Sequence, residues 1–262
     1  MNTSIANLAA LWESVSSLCA DLDEAAWKTP TGCPGWSVQD HVAHLVDYES
    51  RALGRPGPDH QLADDAPHAK NDIGRFNEIG VDFRRARTGA EVLEEFREVT
   101  AARVEQLQAL TDEDLSQPTQ TPVGEGTVAD MLVLRVMDTW THEQDIRRAV
   151  GRPGNEKGPA VEEAVAYFTR ALPFVVGKRA AAPEGSSVVF RIGGVTPVGV
   201  AVVEGRGRLV DELPHSPTVE LRMPATTFVA LVGGRSDAPD DVEITGDTAL
   251  GERVVGAMGF MP

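Results

Sequence analysis

The segment MLVLRVMDTWTHEQDIRRAV, Met131 to Val150, constrains the fold more than any other part of the chain. Apolar residues fill so much of a helix over Leu132 to Trp140 that no ordinary solvent face remains, and a helix of that kind is buried. The same segment nevertheless carries Arg135, Asp138, His142 and Asp145. At about 100° per residue these four fall within roughly 80° of arc, a single polar stripe facing the interior of whatever surrounds the helix. Buried charge is costly unless it is paired or holds a metal. Glu143, Arg147 and Arg148 lie elsewhere around the helix, and the two arginines near its end are expected at the surface, complementing the helix dipole.

Other helices are needed to cover this one. Ile5, Leu8, Leu11, Trp12, Val15 and Leu18 recur at helical spacing over Ser4 to Leu22, and Ser37 with Asp40 opens a helix over about Val38 to Leu53. A third helix is expected over about Ala90 to Leu110. The fourth runs from Thr127, its cap, through about Val128 to Val150, where Gly151, Pro153 and Gly154 stop it. Gly54 to about Thr88 reads as a long irregular connection with at most a short helix near Ile73 to Phe83.

Residues 1–153 are therefore expected to form an antiparallel four-helix bundle. Residues 154–262 change character. One helix over about Ala160 to Val176 precedes the β-branched runs SSVVFRI, VGVAVVEG, TVELRM and DVEIT, interleaved with helical TTFVALVGG and TALGERVVGAMG. This reads as a small α+β domain with an antiparallel sheet, making the chain an α+β two-domain protein.

The formal charge of −16 opposes the negative fields of nucleic acid and anionic lipid, so neither is an expected partner. No apolar run approaches the roughly 20 residues that span a bilayer, and the first residues lack the pattern of a signal peptide, so the expected location is cytoplasmic. The two cysteines, Cys19 and Cys33, form no disulfide framework, which fits a reducing compartment. Cys33, in TGCPGWS, reads as a small half-buried thiol in a turn.

Asp138 and His142 are four residues apart, a spacing that brings two side chains onto one ion from a single helical turn. A third ligand would come from a facing helix, and His41 and His44 both stand on the second. Two imidazoles, one carboxylate and an open position suit a catalytic divalent metal. The same residues also suit an internal salt-bridge cluster, and spacing alone does not choose between the two.

Taken together, CPGWSVQDHVAHL and RVMDTWTHEQDIRRAVGRPG resemble the two signature segments of the mycothiol-dependent maleylpyruvate isomerase family, found in actinobacteria. The resemblance implies a DinB-like metal-binding four-helix bundle. It also implies, from LRMPATTFVALVGGR, VEITGD and ALGERVV, a sterol-carrier-like C-terminal domain. Carried over residue by residue, it implies a divalent metal, zinc in the first instance, held by His44, Asp138 and His142. The family's best-described enzyme has Glu where this chain has Asp138, one methylene longer. His41 then falls to a supporting role.

The resemblance further implies mycothiol as thiol cofactor or cosubstrate and a small electrophile, such as an unsaturated oxo acid, as substrate. The reaction is isomerisation or thiol S-transfer, and the assembly a monomer or homodimer. Asp145 is a candidate catalytic or supporting carboxylate, and Arg235 a candidate cation toward an anionic substrate. Arg75, Arg84, Arg85 and Arg87 in the long connection are further candidate cations, and for each of them, as for Arg235, a solvated surface arginine is the commoner explanation. Two other readings remain open: a metal-dependent hydrolase, separable by thiol-independent turnover, and a non-enzymatic small-molecule binder, separable by metal content.

Overall fold

The structure is a computed structural model and describes residues 2–62 and 66–261. The described chain divides into two compact units, one extending to Asn155 and the other from Glu156 to Met261. In the first, the four long helices are α1 (Thr3–Cys19), α3 (Val38–Ala52), α5 (Gly89–Gln108) and α7 (Val128–Ala149), with the short α2 (Glu24–Trp27) and α6 (Asp112–Ser116) in the connections. α1 packs on α5 and α7, and α3 on α5 and α7, which is the expected bundle.

Its core is Leu8, Leu11, Trp12 and Val15 of α1, Val42 and Leu45 of α3, Phe96 and Val99 of α5, and Leu132, Val136 and Trp140 of α7, all buried. The helix starts follow their caps. The Asp40 carboxylate accepts from the Ser37 backbone N–H at 2.7 Å, and Thr127 with Asp130 closes a reciprocal capping box on α7. α1 stops earlier than its apolar pattern predicts, because Asp23 caps a new helix by accepting from the Ala26 N–H.

The long connection carries α4 (Asp72–Arg84), a full helix packed on α3. The segment after α6 also holds more structure than expected: β1 (Pro118–Thr121) and β2 (Gly124–Thr127) form an antiparallel hairpin. Its Pro and Gly content makes it read as loop, and backbone pairing across the turn outweighs that composition.

In the second unit α8 (Pro159–Thr169) is followed by α9 (Leu172–Phe174) and a π-turn over Val175–Arg179, where one continuous helix was expected. Pro173 explains the break, since it has no N–H to donate to the preceding turn. A five-stranded sheet in the order β5-β4-β3-β6-β7 comprises β3 (Ser187–Ile192), β4 (Val198–Val203), β5 (Arg206–Val210), β6 (Val219–Met223) and β7 (Glu243–Gly246). All neighbours are antiparallel except β3 and β6, which run parallel. β5 is unheralded by any apolar run, yet Glu204 and Gly205 both take positive φ, the two-residue turn that joins paired strands. α10 (Ala225–Val232) and α11 (Thr248–Gly256) complete the unit. Among the described residues no helix is long and apolar enough to cross a membrane.

Candidate metal centre

α3 and α7 lie side by side, and their polar stripes meet inside the bundle. His44 Nε2 stands 3.2 Å from Asp138 Oδ2, and His142 Nε2 stands 3.4 Å from Asp138 Oδ1. Two imidazole nitrogens and both oxygens of one carboxylate thus converge, one ligand atom from each residue lying within 4.8 Å of the others. The donor set fits a divalent ion of borderline softness, and Asp138, though shorter than Glu, reaches both histidines.

A second trio, His41, His142 and Asp145, satisfies the same distance criterion but uses the opposite nitrogen of His142. Its surroundings differ. The side chains of His41 and Asp145 have no exposure, whereas that of Asp138 is 27% exposed. The carboxylate of the trio that contains Asp138 is thus the more accessible of the two, as an open coordination position would require. His41 is occupied otherwise: its Nδ1 meets His142 Nδ1 at 2.8 Å and its Nε2 meets Thr31 Oγ1 at 2.8 Å.

Arg135 sets the electrostatics. Its Nη1 donates to Asp138 Oδ2 at 2.7 Å and its Nε to Glu49 Oε1 at 2.8 Å, while Arg103 holds the other Glu49 oxygen at 2.9 Å. The guanidinium also lies 3.6 Å from the Tyr48 ring centroid. Burial alone would raise the Asp138 carboxyl, but Arg135, His142 and His44 together hold it well below its usual range. Burial lowers His44 despite the neighbouring Asp138. His142 goes the other way, raised by Asp138 and Asp145 against the effect of burial. Asp138 is therefore anionic and His44 neutral at pH 7, the forms in which both ligate a cation.

Trp36 roofs the site. Its ring lies 5.3 Å from the rings of His41 and His44 and 5.6 Å from that of His142, and its indole N–H donates to Glu78 of α4 at 2.9 Å. Neither Trp36 nor Thr31 stands out by residue type. The available signal is position, because both lie in the TPTGCPGW turn that leads into the helix bearing the histidines.

The remaining sequence candidates fall in different places. Asp145 is buried, ion-paired with Arg148 and 3.7 Å from His142 Nδ1, so it acts on the site only through the histidines. Arg148 and Arg147 are not the solvated surface pair expected of them. The side chains of both are largely buried, and Arg147 donates to Glu143, which also accepts from Ser14 and Asn155. Buried carboxylates on the same helix need these cations close by. Arg84 pairs with Asp47 and Glu95, Arg85 with Asp40, Glu78 and Asp82, and Arg87 with Glu95. These three pin the connection to α3 and α5; Arg75 is exposed and, among the described residues, outside such pairs. Arg235 belongs to the second unit, where its Nη1 donates to the Gly233 carbonyl at 2.9 Å. Cys33 is half-buried in its turn, as expected, while burial pushes the Cys19 thiol up to about 12.

The sequence profile of the mycothiol maleylpyruvate isomerase N-terminal domain matches residues 8–147, and that of the C-terminal domain matches residues 162–253. An uncharacterized protein of Mycobacterium tuberculosis, found in two strains, is 27% identical over 175 residues, which is 66% of this chain and 66% of the relative's own length. The crystal structure of the mycothiol-dependent maleylpyruvate isomerase aligns with a TM-score of 0.56 at 16% identity, covering 94% of this chain and 93% of that one. A histidine-to-alanine mutant of that enzyme aligns with a TM-score of 0.55 at 14% identity and the same coverage. At such identities the structures show a shared fold.

Proposed function

This chain belongs to the mycothiol maleylpyruvate isomerase family, and from that membership we propose that it is a metal-dependent enzyme joining a low-molecular-weight thiol, mycothiol, to a small electrophile. One observation carries the reading: His44 Nε2, His142 Nε2 and the Asp138 carboxylate converge where the side chain of Asp138 is still 27% exposed. A divalent ion held by His44, Asp138 and His142 would supply Lewis acidity, which favours the thiolate form of a thiol at neutral pH.

The chain's own residues do the rest. Arg135 keeps Asp138 ionised, Trp36 limits water on one side of the histidines, and Asp145 supplies negative charge behind His142. Addition of the thiol sulfur to one carbon of an unsaturated oxo acid converts the double bond to a single bond, with the electron pair moving onto the carbonyl oxygen. Rotation followed by expulsion of the thiolate completes an isomerisation; protonation and release of the adduct completes a transfer. We assign the metal chemistry to residues 1–153 and the role of substrate cation to Arg235, with residues 154–262 as the sterol-carrier-like domain. Cytoplasmic mycothiol and monomeric or homodimeric assembly complete the proposal.

The expected metal content of purified protein is about one divalent ion per chain, lost in His44→Ala and in His142→Ala. Incubation with mycothiol and a panel of electrophiles including maleylpyruvate, read by mass spectrometry, is expected to give thiol-dependent turnover. Turnover without thiol would overturn the proposal in favour of a hydrolase.

A further inference from the structure

The Thr31 hydroxyl has one proton and three polar neighbours. The Trp36 carbonyl, 3.0 Å away, can only accept; the Cys33 backbone N–H, 3.2 Å away, can only donate. The third neighbour is His41 Nε2 at 2.8 Å. With its proton given to the Trp36 carbonyl, Thr31 Oγ1 accepts from His41, so the hydrogen of the neutral His41 ring sits on Nε2. Its Nδ1 is then a lone pair, and it faces His142 Nδ1 at 2.8 Å. That contact requires a hydrogen on His142 Nδ1. His142 Nε2 is left as a lone pair 3.4 Å from Asp138 Oδ1, an arrangement that calls for a cation between the two.

The opposite arrangement follows if Thr31 donates to His41. His41 Nδ1 then carries the hydrogen and donates to His142, and the neutral His142 ring keeps its hydrogen on Nε2, where it blocks a metal. Asp145 does not choose between these states. Its Oδ2 lies 3.9 Å from His41 Nδ1 and 3.7 Å from His142 Nδ1, so it attracts the hydrogen between them in either case. The choice falls to the hydroxyl and to the carbonyl that takes its proton.

We infer that Thr31, acting through His41, is a positioning residue that fixes the His142 tautomer in which Nε2 is free to ligate a divalent metal. This rests on the metal reading above for its consequence, while the tautomer itself can be read without metal. Thr31→Val keeps the side-chain shape and removes the hydroxyl; Thr31→Ser restores it. Zinc affinity of the full chain, measured against a competing chelator, is expected to fall roughly tenfold or more in Thr31→Val and to recover in Thr31→Ser.

Nitrogen NMR of histidine-labelled protein supplies the readout that a merely loosened turn would not give. His41 is expected with hydrogen on Nε2 in wild type and Thr31→Ser, and as a mixture of tautomers in Thr31→Val. Unchanged zinc affinity in Thr31→Val, or a wild-type His41 carrying its hydrogen on Nδ1, overturns the inference. Should wild type bind no zinc, the metal reading fails, and the His41 tautomer in the metal-free protein still decides this one.

Discussion

At the scale of single residues, the two histidines facing Asp138 have opposite acid-base tendencies. His44 is lowered by burial, and His142 is raised by Asp138 and Asp145 against burial, so of the two His142 holds a second ring proton to the higher pH. A metal has to displace it. Zinc affinity is therefore expected to fall by about tenfold per pH unit below the raised His142 value and to level off above it, with about one proton released per zinc bound. Titration in weakly buffered dye reads both quantities, and an affinity flat across the range would refute the assignment of His142. Arg135 allows a separate test, because it closes a buried chain from Asp138 through Glu49 to Arg103. Arg135→Met leaves buried carboxylates short of a cation and is expected to cost about 3 kcal/mol in denaturant unfolding, more than its loss of packing accounts for.

At the scale of elements, the bundle helices were legible because each has a long apolar period and a capping residue at its start. The pair on α7 was legible for the same reason, since helical phase alone puts Asp138 and His142 on one face. The contribution of α3 was only half legible: His41 and His44 both stand on it, and what separates their roles is a turn residue, Thr31, whose type carries no such signal. The arginines of the connection misled for a physical reason. A run of cations reads as an anion site until their carboxylate partners, distant in sequence, are known. Glu95 illustrates the consequence. Burial would raise its carboxyl, but Arg84 and Arg87 draw it below its ordinary 4.5. A group lowered on folding contributes stability above its unfolded value and loses it as pH falls through the folded one. Glu95→Gln is thus expected to lower stability at pH 7 and to flatten its decline below about pH 4.5, as read by urea unfolding at several pH values.

At the scale of the whole molecule, every group assigned to the metal falls before Asn155. His44, Asp138 and His142, the Trp36 roof, the Thr31 and His41 relay, Asp145 and the Arg135 to Glu49 chain all belong to the first unit. Metal binding and substrate selection are then separable by sequence, because a metal site needs only its donors and their supports, whereas an anionic electrophile also needs a cation to balance it. The acidic chain, with its net charge of −16, offers few candidates once Arg84, Arg85 and Arg87 of the connection are paired with carboxylates. Arg235, whose Nη1 donates to the Gly233 carbonyl at 2.9 Å, is the cation we assign to that task. Arg235→Ala is accordingly expected to keep the zinc content and affinity of wild type while raising KM for a carboxylate-bearing electrophile by about tenfold or more, with a neutral ester of the same electrophile affected far less. Equal losses for acid and ester, or a loss of zinc, would show that Arg235 shapes the protein and does not bind the charge.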